Sequence, residues 1–212
     1  MSASRKPLYQ YISPATWPTW IGMGLLRIVC LLPHSAALAI GRVLGRLAHA
    51  IGGERRGIVR RNIELCFPDL GAQQLDALTR EHFKALGMSM IEMGLGRWAS
   101  DEHLTSITTV DGVEHILDSL NAGQGVILLS AHFTTLEISG RVLRLLIPPF
   151  DAVYRKNRDD FTTEMLRTGR ERSAAATIEK RDIKKMVRSL RDGRTVWYAP
   201  DQSYTRMCSE IV

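Results

Sequence analysis

The chain has 212 residues, of which 45% are hydrophobic and 24% are charged, and its formal net charge at pH 7 is +6. This composition is that of an ordinary globular protein, so it excludes a disordered or collagen-like chain. The excess of positive charge favours an acidic partner, such as nucleic acid, an anionic membrane face, a phosphorylated substrate or an acidic protein. Cys30, Cys66 and Cys208 lie far apart, which argues against a disulfide framework, a zinc ribbon or a redox pair.

Residues 17–51 form the most apolar part of the chain. Arg27 and Pro33 interrupt it, so each apolar run has about 10–14 residues, whereas a spanning helix needs about 20. Three interpretations stay open: a marginal spanning helix, two amphipathic helices lying in the membrane interface, and a buried helical hairpin of a soluble protein. The arginines that follow favour an anionic membrane face, so we expect a membrane-associated helical segment over residues 1–52.

The rest of the chain is predicted to divide into a helical lead-in over residues 53–100 and an α/β part over residues 101–212. Apolar residues at helical spacing predict helices over 53–67 and 71–98, with Met90 and Met93 as core filler. A β-branched run predicts a strand over 105–110. Beyond it, helical segments alternate with short apolar runs that are typical of buried parallel strands, at residues 125–130, 151–157, 174–180 and 194–200.

The predicted fold class is therefore α/β, with a mixed, mostly parallel sheet and flanking helices. An N-terminal apolar helical membrane segment is predicted to precede it.

His132 is the strongest candidate for chemistry, because it lies where the strand predicted at 125–130 ends and a helix begins. Open α/β sheets place their sites at the carboxyl ends of strands. The ordinary pKa of histidine is near neutral pH, so His132 could act as a general base, with Glu137 orienting its imidazole. The alternative is a histidine that caps the junction beside a glutamate on a solvated face. A metal site is less favoured, because neither a cysteine nor a second histidine is near in sequence.

Cationic residues are dense in one segment, where residues 155–194 hold 13 Lys and Arg against 7 Asp and Glu. Arginine binds phosphate through two parallel hydrogen bonds. Arg155 and Arg170 are the better candidates for a site, whereas a solvated helix face explains most of the other cations. Aromatic residues are sparse here, which argues against nucleic acid. Asp201 ends the last apolar run in an ordinary Pro-Asp turn, and it is also predicted to lie at the same sheet edge as His132.

Five stretches of the chain occur together in one family. The chain resembles the lauroyl/myristoyl-type lipid A biosynthesis acyltransferases of Gram-negative bacteria in RRNIELCFPDL (60–70), GMSMIEMGLGRW (87–98), GVILLSAHFTTLEISGR (125–141), VYRKNRDDFTTEMLRTGRERS (153–173) and VWYAPDQ (196–202). HFTTLE matches the His-x4-Asp/Glu motif that this family shares with glycerolipid acyltransferases, and the other stretches make the match specific.

The resemblance implies transfer of a fatty acyl chain, of lauroyl type, from acyl carrier protein to a hydroxyl of a lipid A precursor that bears Kdo sugars. The reaction would belong to lipopolysaccharide biosynthesis on the cytoplasmic side of the cell inner membrane, with a glycerolipid-acyltransferase-like sheet. His132 would remove the proton of that hydroxyl, and Glu137 would hold His132. Arg155, Arg170 and Asp201 are the expected substrate-binding residues, and Arg170 would bind phosphate or stabilise the oxyanion. No cofactor, metal or nucleic acid is expected.

One departure from the family lies at the end of the chain. Family members continue beyond Pro-Asp-Gln, whereas here Gln202 is followed by SYTRMCSEIV. We therefore expect a truncated chain that lacks later strands of the sheet and part of the acyl pocket. Two alternatives stay open: a glycerophospholipid acyltransferase with the same His-x4-acid chemistry, and an inactive fragment that only binds membrane or carrier protein.

Overall fold

The computed structural model describes residues 8–154, 160–170 and 173–201. After two short 3-10 turns, its helices are α1 Trp17–Val29, α2 His34–Ile51, α3 Gly53–Cys66, α4 Ala72–Trp98, α5 Asp101–Ser106, α6 Val113–Asn121, α7 Leu136–Leu146, α8 Asp160–Arg170 and α9 Ile183–Arg191. Its strands are β1 Val126–Leu129, β2 Asp151–Tyr154, β3 Ala176–Glu179 and β4 Thr195–Tyr198. A helical first half therefore precedes the part of the chain in which strands and helices alternate.

The four strands form one sheet in the order β1-β4-β2-β3, and every neighbouring pair is parallel. Helices α7, α8 and α9 connect β1 to β2, β2 to β3 and β3 to β4. Because the last crossover runs back across the sheet, β4 is inserted between β1 and β2. The structure thus has the parallel sheet with flanking helices that the sequence predicts, and its order places the ends of β1 and β4 side by side.

Helices cover the two faces of this sheet, and successive residues of β4 point to opposite faces. Val196 packs with Met186 of α9 on one face. Trp197 points to the other face, where its ring lies 5.5 Å from that of Phe150. Ile127 of β1 is in register with Val196 and is 59% exposed, so α9 does not cover β1.

Helix α4 is the central helix of the helical half, because it contacts α1, α2, α3, α7 and α8. Its contact with α2 is backbone against backbone. A Cβ atom added at Gly87 of α4 would meet the Gly41 carbonyl oxygen and would lie 2.6 Å from the Gly45 nitrogen. Only residues without a side chain allow two helices to approach this closely.

The N-terminal apolar stretch forms two helices, α1 and α2, which are separated at Pro33. Ala37 of α2 is buried with Ile91 and Leu95 of α4, and Leu26 of α1 packs against the same cluster. Within the described residues, no helix combines the length and the apolar character needed to cross a membrane. The predicted fold class is corrected here, since the N-terminal membrane segment that it included is not supported. The physical reason is that the break at Pro33 leaves α1 with 13 residues.

The strand predicted over residues 105–110 is also wrong. Helix α5 occupies Asp101–Ser106, and Ser100 caps it by accepting a hydrogen bond from the His103 backbone N–H. The first turn holds Asp101 and Glu102, whose negative charges favour the amino end of a helix. Leu104 is buried and packs α5 onto the core. Capping and packing therefore outweigh the preference of β-branched residues for strands.

Gly87→Ala should destabilise the fold by about 1–3 kcal/mol, because the added methyl group forces the α2 and α4 backbones apart. Gly57→Ala in α3 is the matched control, since a Cβ atom there meets nothing within 4 Å. The control should raise the free energy of unfolding by about 0.4–1 kcal/mol. Urea unfolding of the three proteins measures both effects, and equal stability of the two variants would contradict the close contact between the helices.

Candidate active site

The candidate site lies at the carboxyl ends of β1 and β4. The strands pair in register from Val126 with Thr195 to Leu129 with Tyr198, and the Ser130 N–H then donates to the Tyr198 carbonyl at 2.9 Å. The same register brings the next residues of the two loops opposite each other. Strand pairing therefore sets which side chains meet at this edge.

His132 and Asp201 form the central contact of this edge. The backbone N–H of His132 donates to Oδ2 of Asp201 at 2.9 Å, and Nδ1 of the imidazole lies 2.6 Å from Oδ1. The hydrogen bond from the His132 N–H, followed by that from its ring, lowers the pKa of Asp201. An ionised carboxylate only accepts hydrogen bonds, so Nδ1 carries a proton, and in the neutral imidazole Nε2 is then the acceptor.

Glu137 and Arg170 form a second pair. Nε of Arg170 donates to Oε1 and Oε2 of Glu137 at 3.0 and 3.1 Å, and Nη2 also donates to Oε1. Glu137 lies in the first turn of α7, and Arg170 is the last residue of α8. The pair is half-buried, with 28% of the Glu137 side chain and 27% of the Arg170 side chain exposed.

The partner that the sequence predicts for His132 is corrected by this geometry. Asp201, not Glu137, contacts the imidazole. The reason is that His132 lies four residues before α7 begins and stays at the sheet edge, whereas Glu137 is already helical and meets α8. Asp201, expected among the substrate-binding residues, takes the orienting position. The roles of these residues in catalysis or substrate binding stay predictions.

Arg155, the remaining candidate, lies outside the described residues. Among the residues that are described, no group of three or more His, Cys, Asp or Glu side chains could hold a metal ion.

A cleft of about 270 Å³ runs between α1, α4 and α8. Its lining is mainly apolar and includes Met23, Leu26, Met90, Met93, Met165 and Leu166, and Arg97 and Glu137 are its charged residues. Met90 and Met93 were predicted to be core filler, but both line this cleft, and Met90 is 52% exposed. Their spacing of three residues indicates that they share one face of α4. Only the positions of α1 and α8 show that this face lines a cleft.

Comparison with known proteins gives a consistent set of relatives. The family model for bacterial lipid A biosynthesis acyltransferase matches residues 5–212. The lipid A biosynthesis lauroyltransferase of Escherichia coli K12 is 35% identical, over 95% of this chain and 65% of the relative. A lipid A biosynthesis acyltransferase of Haemophilus influenzae is 33% identical, over 97% of this chain and 67% of the relative. The lipid A biosynthesis palmitoleoyltransferase of E. coli K12 is 32% identical, over 95% of this chain and 66% of the relative. The chain thus spans about two thirds of the length of these relatives.

Asp201→Asn should make the protein less stable at neutral pH, with a pH dependence set by the lowered pKa of Asp201. A lowered folded-state pKa stabilises the fold above the unfolded value of about 3.9, and this contribution is lost as the pH falls through the folded-state pKa. The difference in unfolding free energy between wild type and variant should therefore shrink as the pH falls below about pH 4.

Urea unfolding between pH 3 and pH 8 measures this difference. Asp118→Asn is the control, because Asp118 is exposed on α6 and its side chain forms no ion pair within the described residues. A difference for Asp201→Asn that does not change with pH would contradict the contact with His132.

Proposed function

Since the chain belongs to the bacterial lipid A biosynthesis acyltransferase family, we propose that it transfers a fatty acyl chain from acyl carrier protein to a hydroxyl of a Kdo-bearing lipid A precursor. The observation that carries the proposal is the contact between His132 and Asp201 at the carboxyl edge of the sheet. It holds the ring through Nδ1 and leaves Nε2 without a partner among the described residues, which is what a general base for a hydroxyl requires.

His132 is the base in the proposed reaction. Its Nε2 takes the proton of the acceptor hydroxyl as that oxygen attacks the thioester carbonyl carbon. The tetrahedral intermediate then breaks its carbon–sulfur bond, and the proton passes from Nε2 to the departing sulfur of the carrier. Asp201 holds the ring and stabilises the imidazolium that forms in between. The acyl chain passes directly to the acceptor, so no covalent acyl-enzyme forms, and no cofactor takes part.

Arg170 supplies positive charge near this reaction. Glu137 occupies its Nε and Nη2 groups and fixes the plane of the guanidinium, while Nη1 is not used by Glu137. An arginine held in this way can bind a phosphate of the lipid acceptor or the oxyanion of the intermediate. Arg155 is proposed as a further residue that binds this anionic acceptor.

The cleft between α1, α4 and α8 supports the acyl part of the proposal. Its volume of about 270 Å³ is near the lower end of the roughly 300–1,000 Å³ that ligand pockets commonly occupy. An apolar, methionine-lined site suits one flexible hydrocarbon chain. Similarity to the E. coli lauroyltransferase supports a chain of lauroyl length.

The charges of α9 support the donor. Lys184, Arg188 and Arg191 are exposed on this helix, which begins after the carboxyl end of β3. Exposed cations favour an acidic carrier protein through their long-range field. The acceptor is a lipid and the carrier is a soluble protein, so the proposed location is the cytoplasmic side of the inner membrane.

An acyl-transfer assay with the purified chain tests the proposal. The donors are acyl carrier thioesters of several chain lengths and lauroyl coenzyme A, and the acceptors are a Kdo-bearing lipid A precursor and lysophosphatidate. We expect transfer from the carrier to the lipid A precursor. His132→Ala should abolish this transfer, and Asp201→Asn should slow it by about 10²- to 10⁴-fold.

Circular dichroism confirms that each variant is folded. Transfer only to lysophosphatidate would show that the chain acts instead as a glycerophospholipid acyltransferase. Absence of transfer to both acceptors, or an active His132→Ala variant, would overturn the proposed reaction.

Gly22→Leu should shift the preferred donor toward shorter acyl chains. Gly22 lines the cleft, and a Cβ atom there meets nothing within 4 Å, so a leucine would fill the cleft without displacing the fold. Gly24→Leu is the matched control, because Gly24 has equally free space but does not line the cleft. Relative kcat/KM for carrier thioesters of increasing length measures the effect. The same shift in both variants would rule out this cleft as the acyl site.

A further inference from the structure

Arg97 connects α4 to the carboxyl-terminal half of α8. Its Nη1 donates to the Met165 carbonyl at 3.0 Å, and its Nη2 donates to Oγ1 of Thr168 at 3.2 Å. Thr168 lies two residues before Arg170, the residue that binds Glu137. The planar guanidinium fixes two points on α8 at once, which a single point charge does not do.

The neighbouring residue, Gly96, contacts the other half of the ion pair. A Cβ atom at Gly96 would lie 3.2 Å from the Glu137 carbonyl oxygen and 3.3 Å from Cα of Ile138, both in the first turn of α7. A Cβ atom at Gly169 of α8 would lie 2.9 Å from Nη1 of Arg97. Two consecutive residues of α4 therefore hold the start of α7 and the end of α8, the two helix ends that carry Glu137 and Arg170.

The opposite end of α8 has a separate anchor. Phe161, in its first turn, is buried, and its ring lies 5.3 Å from that of Tyr11 and 5.7 Å from that of Trp20. These ring contacts hold the amino end of α8 but do not set the direction of its other end. That direction is left to the contacts of the last two turns, where Arg97 binds.

We propose that Arg97 is a positioning residue, which holds the end of α8 so that the Arg170 guanidinium meets Glu137 at the rim of the cleft. The proposal rests on the proposed function only where it assigns Arg170 to the acyl transfer. Arg97 does not itself handle a proton or the thioester. Its effect on rate comes from geometry, since a displacement of about 1 Å at a reacting centre can cost about 10²-fold.

A test that does not require activity observes the ion pair directly. Hydrogen exchange of the Arg170 Nε–H is followed by ¹H–¹⁵N NMR, with the signal assigned by its loss in Arg170→Lys. Arg97→Met should speed this exchange about tenfold or more, because the end of α8 opens more often. Arg80→Met is the matched control, since Arg80 is an exposed arginine of α4 that does not line the cleft. It should leave the exchange rate unchanged, and equal rates in wild type and Arg97→Met would overturn the proposal.

Kinetics of the full chain separate positioning from substrate binding. Arg97→Met should lower kcat by about 10- to 100-fold with KM within about twofold of wild type, because the lost geometry matters in the transition state. Arg97→Lys keeps the charge but loses the two-point contact, so it should recover less than about a tenth of the lost rate. Full activity of Arg97→Lys, or a loss that lies only in KM, would overturn the positioning role.

Thr168→Val provides a second variant in case Arg97→Met does not fold. It removes the acceptor of Nη2 and should lower kcat in the same direction. In the Arg97→Met background its effect should be smaller than in wild type, because the contact with Arg97 is already lost and only the hydrogen bond from Thr168 Oγ1 to the Met165 carbonyl remains to be removed. Fully independent effects of the two substitutions would contradict the proposal. A wild-type chain without acyl transfer would overturn the proposed function, and the exchange measurement would still decide whether Arg97 positions Arg170.

Discussion

The parallel pairing of β1 with β4 is the constraint on which the candidate site depends. His132 and Asp201 are 69 residues apart in sequence. Paired residues of the two strands, such as Leu129 and Tyr198, have this same separation in sequence. A slip of one residue would turn every side chain of the strand to the opposite face. The geometry of the contact between His132 and Asp201 is thus a consequence of sheet register, which explains how two exposed loop residues keep a short contact.

That register is secured from the other end of β4 by a buried carboxylate. Asp151, at the start of β2, accepts hydrogen bonds from Ser189 of α9 at 2.5 Å and from Arg194, just before β4, at 2.6 Å. Only 5% of its side chain is exposed. Removal of one partner of a buried pair leaves an uncompensated charge, so this cluster strongly favours the arrangement in which β4 enters beside β2. The strand is therefore fixed by polar contacts at both ends and by apolar packing between them.

The sequence predicts the elements of this structure better than their order. Short apolar runs mark the four strands, although Ile127 and Leu129 of β1 are exposed, and Pro33 marks the break between α1 and α2. The insertion of β4 between β1 and β2 depends on contacts between distant residues, which periodicity along the chain does not carry. For this reason the nearest acid in sequence, Glu137, was predicted to hold His132, and the acid in register, Asp201, was not. Arg97 was missed as well, since its partners lie in α8, 68 and 71 residues further along the chain.

The His-x4-Glu segment joins two layers of the molecule. His132 stays with the sheet, whereas Glu137 lies in the helical layer with α4 and α8, at the rim of the apolar cleft. Five residues of extended chain reach at most about 18 Å, so this segment limits the distance between His132 and the cleft whatever path it takes. The two acids then contact different groups: Asp201 contacts the imidazole of His132, and Glu137 contacts the guanidinium of Arg170. With a separate carboxylate for each, the imidazole and the guanidinium are positioned independently. In the proposed reaction, an acyl chain in the cleft would bring its thioester toward His132 while Arg170 meets the charge that develops on the oxygen.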